Sequence, residues 1–175
     1  MKILLHTCCG PCTIYPLKVL REQSIDVMGY YYRSNIHPYT ECIQRENTLK
    51  TYAEEQEFKV ILESGYHLED FLRHMVFREK DRCQVCYYLR LSATAHIAKQ
   101  GAFDYFSSTL LYSKYQQHEL IQSIGNSIGQ SLGVPFYYQD FRIGWKEGIQ
   151  VSKSLNMYRQ QYCGCIFSEK ERYVK

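Results

Sequence analysis

Apolar positions along the chain switch repeatedly between two periods. Lys2 to Thr7 contains the unbroken apolar run Ile3-Leu4-Leu5, which predicts a strand buried on both faces. Cys9-Gly10 then turns the chain into a helix that opens with Pro11, a residue favoured at the first helical position. Asp26 to Arg33 is rich in β-formers and reads as a second strand, and Lys59 to Leu62 as a third. Between them, Tyr39 to Glu57 brings back Cys42, Leu49 and Ala53 at helical spacing. His67 to Val76 reads as a short amphipathic helix. A longer one runs from Arg82 to near Gln100, started by Asp81 with Gln84 three residues on, a variant of the capping box. Phe103 to Ser107 is predicted as a fourth strand and Lys114 to Leu132 as a helix stopped by Gly133. Pro135 to Gln139 reads as a fifth strand, and Lys146 to Leu155 as a last helix.

Strands that alternate with helices of this length need crossover connections. The pattern therefore predicts an α/β, Rossmann-like fold: a mainly parallel sheet of about five strands with helices on both faces. No repeat, low-complexity run or linker interrupts it, so residues 1–175 read as a single domain. Ligands of such sheets sit beyond the carboxyl ends of the strands, and Cys8, Cys9 and Cys12 fall there.

Composition narrows the chemistry. A chain of 175 residues buries roughly 70% of the surface its unfolded form exposes, so disulfide staples are not needed for stability. The apolar run before His6 is too short for a secretion signal, and no stretch reaches the ~20 apolar residues of a membrane span. The expected compartment is the cytoplasm, where clustered cysteines bind metal or carry electrons more often than they form bridges. The net charge of +3 is too small to imply a nucleic-acid partner by itself. Seventeen tyrosines suit half-buried strand positions such as Tyr30 to Tyr32, and equally the stacking of unpaired bases.

Seven of the eight cysteines fall in three short groups: Cys8-Cys9-Gly10-Pro11-Cys12, Cys83-Gln84-Val85-Cys86 and Cys163-Gly164-Cys165. Cys42 stands alone in a helical pattern and reads as a small core residue. At the first group the strand end must turn, a freedom assigned to Gly10, and the following helix presents its amides to the loop, which favours thiolate. Cys83 and Cys86 lie three apart in the first turns of a helix, so both sulfurs share a face. Cys8, Cys9, Cys83 and Cys86 are thus four candidate ligands of one metal centre, with a redox dithiol or plain buried thiols as the competing readings. Four thiolates suit zinc or an iron–sulfur cluster, and an adjacent pair reaches two atoms of a cluster more readily than one small ion. The balance favours a [4Fe–4S] cluster. Cys163 and Cys165 can close a small, strained and easily reduced disulfide, or ligate metal instead. Cys12 is open between a ligand of a second metal and a buried thiol, Asp81 between a helix cap and a ligand or proton donor, and His6 supports a ligand at most.

The motifs His6-Thr7-Cys8-Cys9-Gly10-Pro11-Cys12, Asp81-Arg82-Cys83-Gln84-Val85-Cys86-Tyr87-Tyr88-Leu89-Arg90-Leu91 and Tyr162-Cys163-Gly164-Cys165, in this order, resemble the epoxyqueuosine reductases of the QueH type over essentially the whole chain. The resemblance implies a HUP/PP-loop-like version of the Rossmann-like fold. It also implies the last step of queuosine synthesis, in which two electrons remove the epoxide oxygen of epoxyqueuosine at the tRNA wobble position without cobalamin. Cys8, Cys9, Cys83 and Cys86 then correspond to the ligands of a [4Fe–4S] cluster, and Cys163 and Cys165 to a redox-active disulfide. A further iron is implied for some members, with Cys12 and Asp81 as its candidate ligands. The partners implied are a tRNA carrying epoxyqueuosine in its anticodon and an external electron donor, with no membrane.

Arg73, His74, Arg78, Lys80, Arg82 and Arg90 bracket the second cysteine pair, and Arg142, Lys146, Lys153 and Arg159 precede the third. With Tyr87, Tyr88, Tyr112, Tyr115 and Tyr158 they make a candidate surface for an anticodon loop, the plain alternative being a solvated basic face. The competing functional reading is a zinc-stabilised nucleotide-binding or RNA-binding protein akin to the tRNA-modifying ATP pyrophosphatases. Those carry a Ser-Gly-Gly-x-Asp-Ser phosphate loop after the first strand. Here Thr7-Cys8-Cys9-Gly10-Pro11-Cys12 stands in its place, with a single glycine and bulky sulfurs where phosphate would lie.

Overall fold

In the computed structural model, which describes residues 1–174, the buried run of the first strand lies at the centre of a parallel sheet. The chain builds β1 (Lys2–Thr7), α1 (Gly10–Glu22), β2 (Asp26–Tyr31), α2 (Tyr39–Glu55), β3 (Val60–Leu62) and α3 (Leu68–Met75). It continues through α4 (Arg82–Gln100), β4 (Tyr105–Ser108), α5 (His118–Leu132), α6 (Trp145–Ser154) and α7 (Ile166–Tyr173). Four strands pair in the order β3-β2-β1-β4, with Leu5 opposite Gly29 on one side and Ser107 on the other. Ile3, Leu4 and Leu5 are fully buried because both faces of β1 are covered. One helix group joins α1 with α2 and α6, and another joins α4 with α5.

The expected fifth strand shrinks to one parallel bridge, Phe106 to Phe136. The amide of Tyr137 donates to Phe106 O at 2.8 Å, and that of Phe106 to Pro135 O at 3.2 Å. Pro135 has no N–H to extend the ladder, and the next free carbonyl, that of Tyr137, accepts from the Ser107 hydroxyl at 2.7 Å instead. The helix expected from Lys114 starts only at His118: Thr109–Tyr112 forms a 3-10 turn in which Ser108 Oγ accepts from the Leu110 amide, and a turn follows it in which Ser113 Oγ accepts from the Tyr115 amide. Gly133 ends α5 in the left-handed region at φ 74°, as its sequence position predicted.

Each crossover returns a loop to the carboxyl edge of the sheet. Cys8 and Cys9 follow β1, Ser34 to Pro38 follow β2, and Thr109 follows β4. The surroundings of the cysteines are built there.

Candidate metal centre

The sulfurs of Cys8, Cys9 and Cys12 all lie within 4.8 Å of one another, and all three residues are buried. Cys9, extended at the end of β1, is the N-cap of α1: its sulfur accepts from the Cys12 amide at 3.4 Å, as a cap oxygen would. Cys8 and Cys9 sulfurs are 3.9 Å apart. Thr109, from the loop after β4, donates its hydroxyl to Cys8 Sγ at 3.4 Å and accepts from the Cys8 amide. Hydrogen bonds from Cys12 and Cys9 hold Cys8 well below the ordinary thiol range against its burial, whereas Cys12 is raised by that same bonding and Cys9 by burial. The trio therefore concentrates negative charge on Cys8. Gly10 has no positive φ, and its role is steric: an added Cβ would stand 2.7 Å from Met157 and 3.2 Å from Thr48 O, where α2 crosses α1.

Cys83 and Cys86 open α4 as expected, but their side chains join different packing groups. Cys83 is half-buried against the core that contains the trio, and Cys86 lies with Phe71 and Met75, beside Cys165. Asn35 donates its amide to Cys86 Sγ at 3.0 Å, and Arg90, one turn along α4, donates at 3.2 Å. Burial pushes the Cys86 thiol up to about 11, opposed by Arg90. Asp81 precedes α4 without making a side-chain cap bond; it is exposed and outside the trio.

Cys163 is exposed and Cys165 half-buried, and all eight cysteines are free thiols. Gly164 between them has φ 155°, a conformation that side chains disfavour. The segment is held by its backbone. Arg45, buried in α2, donates to Cys163 O at 2.8 Å and Tyr162 O at 3.0 Å while its Nε pairs with Glu41 at 2.7 Å. The His37 amide donates to Gly164 O at 2.8 Å, and its ring Nδ1 accepts from the Ile166 amide at 3.2 Å. Burial keeps that ring neutral by lowering its pKa to about 4.

Arg90 lies buried beside Cys86. The sequence placed it on a basic surface, but it is only 3% exposed, because α4 presents it inward. Burial alone would lower its pKa, yet the charges of Cys86, Cys163 and Cys8 and the bond to Cys86 raise it overall, so it stays charged. Among the described residues no carboxylate lies within ion-pair reach of it, and its Nε has no partner. The structure thus presents the clustered sulfurs of Cys8, Cys9 and Cys12, and the Cys86 sulfur with a buried guanidinium on it at 3.2 Å. This donor set, all sulfur with a built-in counter-charge, fits an anionic thiolate-bound metal or iron–sulfur group.

The rest of the proposed basic face is mixed. Arg73, Arg82 and Arg142 pair with Asp70, Glu171 and Asp140, whereas Arg78, Lys80, Lys146, Lys153 and Arg159 are exposed. Tyr87 is buried with its hydroxyl on Gln116, and Tyr112 is buried too; Tyr88 and Tyr115 remain exposed. Arg45, Glu41, Asn35, His37 and Thr109 were not singled out by sequence. Glu41 and Arg45 at i, i+4 look like an ordinary solvated helix pair, and only the third dimension buries them.

A cavity of about 770 Å³ opens beside these groups, with Cys8, Cys12 and Cys163 among its lining residues.

The family model for Epoxyqueuosine reductase QueH matches residues 3–171. A relative from Dehalococcoides mccartyi named Epoxyqueuosine reductase QueH is 37% identical over 174 residues, covering 99% of this chain and 96% of its own. The same name is carried by a protein of Thermotoga maritima, 32% identical over 184 residues with 99% and 93% covered. Among solved structures, the U34-tRNA thiolase NcsA from Methanococcus maripaludis with its [4Fe-4S] cluster superposes at TM-score 0.64 and 14% identity, covering 96% of this chain and 61% of that one. A protein described as a predicted subunit of tRNA methyltransferase from Methanocaldococcus jannaschii superposes at 0.61 and 11% identity, with 87% and 76% covered. At such identities the two structures establish the fold alone.

Proposed function

The chain belongs to the QueH family of epoxyqueuosine reductases, and on that premise we propose that it removes the epoxide oxygen of epoxyqueuosine at the tRNA wobble position. Two electrons and two protons enter; both C–O bonds of the epoxide break, the C=C bond of the cyclopentene forms, and the oxygen leaves as water. The electrons originate in an external donor. Residues 1–175 act as one domain, in the cytoplasm; among the described residues no helix is long and apolar enough to cross a membrane.

In this reading Cys8, Cys9, Cys83 and Cys86 hold a [4Fe–4S] cluster, and Cys163 and Cys165 cycle between dithiol and disulfide. Such a cluster, when bound, supplies electrons singly at low potential. Cys12, one sulfur contact from Cys8 and Cys9, is the better supported candidate for a further iron. Asp81 rests on the resemblance alone. The protein's own groups have distinct tasks. Arg90 balances thiolate charge, Thr109 and Asn35 orient Cys8 and Cys86, and Arg45 with His37 fixes the backbone of the Cys163–Cys165 segment.

The observation that supports the proposal is the clustering of the buried sulfurs of Cys8, Cys9 and Cys12 within 4.8 Å of one another at the carboxyl edge of the sheet. Anaerobic purification, iron and sulfide analysis and an assay on epoxyqueuosine-containing tRNA test it. Cys8→Ala and Cys86→Ala should lose cluster and turnover together, while Cys163→Ser should keep the cluster spectrum and stop multiple turnover. Full iron and sulfide in both alanine variants, or undiminished turnover by Cys163→Ser, would refute these assignments.

A further inference from the structure

The cavity beside the cysteines has an aromatic wall that the reduction chemistry leaves unexplained. Trp145, the only tryptophan in the chain, opens α6. Its ring lies 5.2 Å from that of Tyr112 at 33°, and 5.7 Å from that of Tyr115 at 79°. All three rings line the cavity, as do Arg159 and Arg172.

Each ring is held differently. Tyr112 is buried, and its hydroxyl donates to the Trp145 carbonyl at 3.1 Å, which fixes the start of α6. Gly148 permits this approach, because a Cβ there would stand 2.2 Å from the Tyr112 hydroxyl. Tyr115 is 85% exposed in a short turn whose amide donates to Ser113 Oγ. A large ring left in water, edge-on to a half-buried tryptophan, leaves apolar surface uncovered where a ligand would cover it.

The contents of the wall select the class of occupant. Flat π-faces accept any base, and exposed guanidinium groups nearby suit phosphates; a cavity of about 770 Å³ is of the size that takes a whole nucleoside. We propose that Trp145 supplies the stacking face for the modified wobble base and that Tyr115, its ring at 79° to that of Trp145, packs against the edge of the stacked base, which enters the cavity splayed out of the anticodon loop and so brings its ring substituent to the sulfur-lined side. This rests on the reduction of a tRNA nucleoside proposed above and adds how that nucleoside is held. Tyr112 and Gly148 act as positioning residues beneath the stacking face.

A binding cycle tests it on anaerobically purified, iron-loaded protein. Anisotropy of a labelled anticodon stem–loop RNA is measured for wild type, Trp145→Ala, Trp145→Phe and Tyr115→Ala, each with the wobble base present and with an abasic wobble site. Trp145→Ala should weaken binding of the intact loop by about tenfold or more, the scale of one base stack, and Tyr115→Ala by a smaller factor. Trp145→Phe should restore most of it. The abasic loop should bind wild type weakly and show no further loss in either alanine variant. Losses that multiply between protein and RNA, or unchanged binding by Tyr115→Ala, overturn the proposal. Tyr115 supports no core, so its variant keeps the test readable should Trp145→Ala lose its iron. Quenching of Trp145 fluorescence by free flavin but not by the stem–loop overturns it in favour of a redox ligand. Failure of wild type to deoxygenate loaded tRNA refutes the proposed reaction separately, and leaves the binding cycle interpretable.

Discussion

Arg45→Met strikes the clamp that holds the Cys163–Cys165 segment to α2. Arg45 is 1% exposed and makes three charge-assisted bonds, to Glu41 Oε1 at 2.7 Å and to the carbonyls of Cys163 and Tyr162 at 2.8 and 3.0 Å. Methionine fills part of the volume but leaves Glu41 buried with only the Tyr158 hydroxyl as partner, and two carbonyls without donors. Breaking a buried ion pair from one side costs about 3–5 kcal/mol, and bonds from a charged donor contribute about 1.5–3 kcal/mol each. These overlap within one network, so the sum is bounded near about 5 kcal/mol, a large share of the ~5–15 kcal/mol that keeps a domain folded. At roughly 2–4 °C per kcal/mol for a chain of this size, the melting midpoint should fall by about 10–20 °C. Arg45→Lys keeps the charge beside Glu41 but not the planar fork, so it should fall between the two. Thermal melts give the stability, and alkylation read by mass spectrometry gives the local effect: Cys165, now half-buried, should label faster in Arg45→Met while Cys42 does not. A midpoint within about 3 °C of wild type, or unchanged Cys165 labelling, would show that Arg45 does not hold the segment.

Two further outcomes follow from buried charge and neutral imidazole. Arg90→Met should lower iron and sulfide loading while Arg90→Lys retains part of it: a cation about 4 Å from a thiolate is worth about 4 kcal/mol at an effective dielectric near 20; equal metal content in all three proteins would remove the counter-charge role. His37 has a folded pKa near 4 against an ordinary 6.5, so on acidification the unfolded chain takes up the proton first. Its contribution is intact above pH 6.5 and is lost as pH falls from there toward 4, by roughly 2 kcal/mol at pH 5. Denaturant titrations across that window should show a slope that His37→Gln flattens, and an identical slope in the variant would assign the acid sensitivity elsewhere.

The sheet was legible because β1, β2 and the strand after α4 carry compact apolar runs bounded by turn residues, and the helices between them keep their period. The fifth strand misled because Phe136, Tyr137 and Tyr138 have the side chains of a strand but follow a proline and lose a carbonyl to Ser107. Helix α7 escaped notice because Ser168 to Arg172 is polar throughout, and its anchor is Phe167 packed beside Cys165. At the site, spacing grouped Cys8, Cys9 and Cys12, since a strand end and one helical turn fix them as neighbours, but it did not reveal that Cys83 and Cys86 pack against different clusters. Arg90 and Arg45 could not be read the same way. An arginine on a helix looks solvated until the packing of other elements decides which way it faces, and both face inward.

The bond between Cys8 and Thr109 joins residues 101 apart in sequence, and the central strand waits for β4 across the same gap. At ~5–20 residues per second of synthesis, the first three thiols leave the ribosome roughly 5–20 s before the hydroxyl that steadies Cys8 exists. The pocket around Cys8 is therefore not finished before Thr109 has been made, and until then the earliest sulfurs depend on the redox buffer of their surroundings rather than on the fold for protection.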